Sequence, residues 1–172
     1  MKKDMLELET RKKIFDLISK NPGLHLSKIA SLLKMRGSLV EYHLFYLEKN
    51  NVIKGTRSSG YTRYYVTGRV SHRDKKIISM LRKEVPLKVV LFLLKKDIAQ
   101  HKDILENIDV AASTLSYHIK NLIDHGLISV NRYGRDKGYV LENREAILTI
   151  ILQYKPYNLF DGFEDIWKDL TV

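Results

Sequence analysis

Apolar residues along the chain fall into short helical stripes separated by turn-forming residues, and the same series of stripes occurs twice. The first stripe, Ile14, Leu17 and Ile18, has the i, i+3, i+4 spacing of a helix with one buried face. Asn21-Pro22-Gly23 ends it. Ser27 is placed to cap a short second helix carrying Ile29, Leu32 and Leu33, and Gly37-Ser38 opens a third whose inward stripe is Val40, Leu44 and Leu47. Two β-prone runs, Val52-Ile53-Lys54 and Tyr64-Tyr65-Val66, flank a turn at Ser58-Ser59-Gly60 and predict a hairpin.

Displacing the sequence by 75 residues aligns 11–66 with 86–141 without a gap. Identical pairs include Ile29/Ile104, Ser38/Ser113, Tyr42/Tyr117, His43/His118, Leu47/Leu122, Ile53/Ile128, Arg57/Arg132 and Tyr64/Tyr139, and other core positions exchange one aliphatic for another. Chance supplies a few identities but not a matching apolar pattern through the whole window. The second copy predicts a helix over 86–96 with Pro86 in its first turn, helices near 101–108 and 112–125, and strands around 127–132 and 138–141. The expected fold class is mainly α with small β-hairpins (α+β): two tandem winged helix-turn-helix domains, 1–70 and 86–142, plus C-terminal helices.

Two segments lie outside the repeat. Ser71-His72-Arg73-Asp74 reads as a capping box with Asp in place of Glu, so 71–85 is expected to be a connecting helix with Ile77, Ile78 and Leu81 on one side. Residues 143–172 carry a stripe of Ala146, Ile147, Ile150, Ile151 and Tyr154, then Pro156, then Leu159, Phe160, Phe163, Ile166, Trp167 and Leu170. So much apolar surface either packs on the preceding hairpin or forms a two-fold interface. The sequence favours the interface, with Ile147, Ile150, Ile151, Tyr154, Phe160, Phe163 and Trp167 as its residues in a homodimer.

Charge adds a partner. The 172-residue chain has a formal net charge of +10, and the excess is localised. Residues 1–70 hold 14 Lys and Arg against 6 Asp and Glu, 71–140 hold 13 against 8, and 141–172 hold 3 against 6. Two basic blocks followed by an acidic tail fit two units facing a polyanion and a tail with another task. No apolar run reaches the roughly 18 residues of a spanning helix, so no membrane partner is expected. The absence of cysteine removes disulfides and thiolate metal sites. Without an apolar signal core behind Met1-Lys2-Lys3-Asp4, a cytoplasmic location is expected.

In this helical order the third helix enters the major groove. With Val40, Leu44 and Leu47 inward, the first copy turns Ser38, Leu39, Tyr42, Phe45 and Tyr46 outward. The second turns out Ser113, Thr114, Tyr117, Lys120 and Asn121, with Ser116 and His118 on the flank. Hydroxyls, an amide and an ammonium suit phosphates and base edges. The first face is aromatic instead, fitting thymine methyls or a protein surface about equally. Arg57 and Arg63 in the first hairpin, and Arg132, Arg135 and Lys137 in the second, are candidates for phosphates or the minor groove; the plainer alternative is solvated turn cations. His43 and His118 read as half-buried structural residues, and His25, His72, His101 and His125 lack ligand spacing. There is no phosphate loop, nucleophile motif or repeated carboxylate pair, so neither enzyme chemistry nor a cofactor is expected.

The run Ser113-Thr114-Leu115-Ser116-Tyr117-His118-Ile119-Lys120-Asn121-Leu122, followed by His125-Gly126-Leu127-Ile128, resembles the recognition-helix signature of ArsR/MarR-like winged-helix regulators. Ser38 to Leu47 is a weaker match, with Glu41 in place of the second Ser. Met80 to Lys88 and Tyr154-Lys155-Pro156 are similar to archaeal regulators with two such domains in one chain. The resemblance implies a dimeric, sequence-specific transcription factor with helices 38–49 and 113–124 in the major groove. Metal sensing does not carry over, because it uses cysteines absent here. The alternative is a protein-interaction scaffold or polymerase-associated factor that binds DNA weakly and without sequence preference.

Overall fold

The computed structural model describes residues 2–58, 60–133 and 136–154. The chain divides into two compact units, Met1–Ser79 and Met80–Val172. Both are mixed α+β, with small antiparallel sheets.

In the first unit, α1 (Lys2–Lys20) buries Ile14 and Ile18 completely. It stops where the Asn21 backbone N–H and side-chain amide both donate to the Leu17 carbonyl. Gly23 then takes φ +82°, and a Cβ there would lie 2.9 Å from Ile78 Cγ2, so only glycine fits the turn. A two-residue strand β1 (Leu24–His25) follows, then α2 (Leu26–Leu33). Ser27 is therefore not the cap: pairing in β1 holds His25 extended, and the helix starts two residues earlier than the sequence suggests. Leu32, expected inward, is 41% exposed, while Ile29 and Ala30 supply the buried contacts of α2.

Lys34 closes α2 in a left-handed conformation, and α3 (Gly37–Lys49) buries Val40, His43, Leu44 and Leu47. The hairpin is β2 (Ile53–Ser58) and β3 (Tyr61–Val66), with Ile53 opposite Val66 and Ser58 opposite Tyr61. Sheet order is β1-β3-β2, Leu24 pairing with Tyr64. Helix α4 (His72–Leu81) starts as the capping motif predicts, its Asp74 N–H donating to Ser71 Oγ at 3.0 Å. Its residues up to Ser79 belong to the first unit and bond within it: Ser58 Oγ and Ser79 Oγ share a hydrogen bond of 2.5 Å, and Tyr65 Oη donates to the Lys75 carbonyl.

The second unit repeats the order. Helix α5 (Glu84–Lys95) has Pro86 in its first turn and buries Leu87, Val89, Val90, Leu91, Leu93 and Leu94. Such all-round burial explains its continuous apolar sequence. After α6 (His101–Asn107) comes α7 (Ala112–Asp124), which buries Leu115, Ile119 and Leu122. Strands β4 (Ile128–Tyr133) and β5 (Asp136–Leu141) form the second hairpin, and an isolated bridge joins Ala99 to Tyr139. That bridge is the repeat equivalent of Leu24 and Tyr64, 75 positions on.

Helix α8 (Arg144–Tyr154) is capped by Asn143, whose Oδ1 accepts the Ala146 N–H at 3.3 Å. The repeat runs further than its apolar pattern indicates. Arg69, after the first hairpin, donates to Ser19 Oγ at 2.6 Å. Arg144, 75 residues later, donates to the carbonyls of Leu93 and Leu94 and pairs with Asp97 at 3.0 Å. Each arginine ties the exit of a hairpin to the C-terminal end of its unit's first long helix, where a cation is favoured.

Candidate nucleic-acid interface

The inward stripes of α3 and α7 leave opposite faces open to solvent. On α3, Ser38 and Glu41 are exposed beside Leu39 (44%), Tyr42 (51%), Phe45 (66%) and Tyr46 (40%). On α7, Ser113, Thr114, Ser116, Tyr117 and Lys120 are exposed and Asn121 is half-buried. The equivalent tyrosines are held alike: Tyr42 meets the His43 ring edge-on at 5.1 Å, and Tyr117 meets His118 edge-on at the same distance. His43 is more deeply placed than its sequence position suggests, 1% exposed, whereas His118 is half-buried. Burial, with a smaller contribution from Lys83, holds the His118 pKa below its usual value. Ser116 is partly committed internally, its hydroxyl donating to the Ala112 carbonyl and lying 3.0 Å from His101 Nε2.

The hairpins divide the remaining candidates. Arg57, Arg132 and Lys137 are exposed, and Arg132 faces Lys137 across the β4–β5 ladder. Arg135 lies outside the described residues. Arg63 is not on the surface: it is 5% exposed, and its Nη1 donates to the Gly23 carbonyl at 2.8 Å. It pairs with Thr56, two residues back from the turn, so the alternation of the strand turns it inward. Its place is structural, contrary to the expectation of a wing contact.

The C-terminal stripe is likewise used within the chain. Ile147, Ile150 and Ile151 are 2%, 6% and 0% exposed, so they have almost no area left for a second copy. Their spacing marks a buried helix face without saying whose core it joins. Tyr154 is half-buried, and Phe160, Phe163 and Trp167 lie outside the described residues.

Sequence reasoning missed the turn between the second and third helices of each copy. In the first unit Lys28 on α2 is half-buried, and Lys34 and Arg36 beside α3 are exposed. At the same repeat positions the second unit has Asp103, Asp109 and Ala111, all exposed. One lip is basic and the other acidic. Arg11 adds a cation to the α3 face, its guanidinium 3.7 Å from the centre of the Tyr46 ring. His25 stacks on Tyr61 at 4.7 Å. Burial, then the nearby Arg63 and Lys28 charges, lower the pKa of His25 and favour its neutral form. Among the described residues no group of three or more His, Asp or Glu is arranged to hold a metal ion, and no helix is long and apolar enough to cross a membrane.

Residues 8–78, within the first unit, match the family model of an N-terminal HTH domain. Over 140 residues the chain is 29% identical to an uncharacterized HTH-type transcriptional regulator of Methanocaldococcus jannaschii, covering 81% of this chain and 34% of the relative. The chain therefore spans about a third of the length of the curated relative it matches. Partial likenesses among solved structures include the transcriptional repressor BigR from Xylella fastidiosa, at 20% identity and a TM-score of 0.41 over 47% of this chain and 82% of that one. Another is a type III plasmid segregation TubR mutant, at 16% identity and a TM-score of 0.42 over 50% and 92%.

Proposed function

We propose that this chain is a duplex-DNA-binding transcriptional regulator rather than an enzyme, acting in the cytoplasm as a homodimer with two winged helix-turn-helix modules per chain. The observation that carries the reading is a repeated one. In each unit a third helix turns a solvent-exposed face outward, and an exposed arginine, Arg57 or Arg132, follows at the same position of the hairpin. A helix in the major groove with a cation on the flanking phosphates is the use to which this layout is suited. The HTH family match over the first unit and the regulator relative support it.

In this reading Ser113, Thr114, Tyr117, Lys120 and Asn121 of α7 reach base edges and phosphates, as do Ser38, Leu39 and Tyr42 of α3. Dimerisation involves the C-terminal segment, where Leu152 is 38% exposed on α8 and the sequence continues with Phe160, Phe163 and Trp167. Half-sites then lie about 34–36 Å apart or at multiples of that spacing.

Selection of bound sites from random duplex DNA at fixed salt tests the reading. A recovered sequence preference, weakened by about 1–3 kcal/mol in Tyr117→Ala or Lys120→Ala, is the expected result. A pool that stays random refutes sequence-specific regulation, and unchanged affinity in both variants removes α7 from the contact surface.

A further inference from the structure

We infer that the first unit reads thymine methyl groups through Leu39 and Phe45 of α3, with Lys34, Arg36 and Arg57 on the neighbouring phosphates. The inference rests on the reading of the chain as a duplex-DNA binder and names the chemistry that its first module selects.

Three observations lead there. From Ser38 to Tyr46 the exposed residues of α3 are Ser38, Leu39, Glu41, Tyr42, Phe45 and Tyr46, with no Arg, Lys, Asn or Gln among them; exposed Glu48 and Lys49 follow only in its last turn. Those four residue types make the common bidentate contacts to guanine and adenine, so this face is poorly equipped for them. The apolar group that a base pair offers in the major groove is the thymine methyl, and apolar side chains recognise it by contact. Leu39, Tyr42 and Phe45, at 44%, 51% and 66% exposure, follow one another at three-residue intervals along one side of the helix.

Charge identifies the occupant. The apolar face is bordered by exposed Lys34 and Arg36 at its leading end, with exposed Arg57 in the following hairpin. An apolar protein partner gains nothing from such a border, whereas a duplex presents phosphates on both sides of the groove. The second unit supplies the contrast. Thr114 and Lys120 stand where the first unit has Leu39 and Phe45, and Asp109 and Ala111 stand where it has Lys34 and Arg36. The apolar face and the basic lip occur together in one copy and are both missing from the other, as two parts of one contact surface would be.

The test compares two duplexes of identical A·T-rich sequence, one containing thymine and one containing uracil, which lacks only the methyl group. The full chain, wild type and Leu39→Ala/Phe45→Ala, is titrated on both at one low salt concentration. Both substituted side chains are exposed, and circular dichroism verifies that the fold is kept. Wild type is expected to bind the thymine duplex several-fold more tightly. The double variant is expected to bind it several-fold more weakly than wild type and to treat the two duplexes alike. Equal wild-type affinities overturn methyl readout while leaving DNA binding intact, as does a thymine preference that survives in the double variant. Equal affinities together with loss of self-association in the double variant, seen by sedimentation, assign the face to a second copy instead. Failure of wild type to bind either duplex defeats the underlying DNA-binding reading as well.

Discussion

Arg63 Nη1 donates to the carbonyl oxygen of Gly23 at 2.8 Å, and 75 residues later the same two positions meet with their sizes exchanged. There the glycine is Gly138, on β5, and the bulky partner is Ile98, whose side chain occupies the space a Cβ on Gly138 would need. Each unit thus closes the edge of its hairpin against the turn after its first helix, once with a buried hydrogen bond and once with an aliphatic contact. A cation near the hairpin turn in sequence is consequently a structural tie in space.

Replacing Arg63 by Ala removes that tie and leaves the Gly23 carbonyl without this donor. Hydrogen bonds from charged groups contribute about 1.5–3 kcal/mol, so Arg63→Ala is expected to lower unfolding stability by about that amount. Urea denaturation measures it. Duplex affinity, compared where both proteins are fully folded, should be unchanged in its salt dependence; a slope lower by about one unit would return Arg63 to the phosphate contacts.

Gly138→Ala tests the second version of the contact. Overpacking costs about 1–3 kcal/mol. The loss should be largely recovered in the double variant Ile98→Ala/Gly138→Ala, because shortening Ile98 frees the space the new methyl group needs. A double-mutant cycle from thermal melts gives the coupling. Additive effects would mean that the two residues do not share the space.

His25 and His118 both have pKa values below the ordinary 6.5, chiefly through burial. In the unfolded chain they take up protons around that ordinary value, whereas in the folded chain they do so only at lower pH. Between the two, the unfolded state binds more protons, so stability falls as pH drops below about 6.5 and levels off once the folded histidines are protonated. Melting temperatures measured between pH 7.5 and pH 5 should show this decline, and His25→Gln and His118→Gln should each make it shallower. An undiminished slope in both variants would assign the effect to other groups.

The repeat and its helices were legible because both are written in local apolar spacing. The stripes Val40, Leu44, Leu47 and Leu115, Ile119, Leu122 are buried as their intervals require. Pairing across the chain was not legible: β1 is two residues long, and Ala99 contributes only a bridge, so neither carries an alternating pattern. The equivalence of Arg69 and Arg144 was hidden because apolar positions lose their common register beyond the hairpins. Ile77 and Ile78 in α4 have no aligned counterparts in Ile147, Ile150 and Ile151 of α8. That misalignment made α8 look like an unattached surface, when its stripe is buried within the chain. The α3 and α7 faces were found by rotation about a helix axis. The basic lip was not, because Lys34 and Arg36 acquire their meaning from the turn that places them beside α3.

The most direct measurement of DNA binding is the affinity of the full chain for one duplex across a series of salt concentrations. Each phosphate neutralised contributes about 0.9 to the slope of log affinity against log salt. A steep negative slope is expected for wild type, reduced by about two units in Lys34→Ala/Arg36→Ala and by less in Lys120→Ala/Arg132→Ala. A flat wild-type dependence, or absence of binding at low salt, would contradict the assignment of these surfaces to DNA.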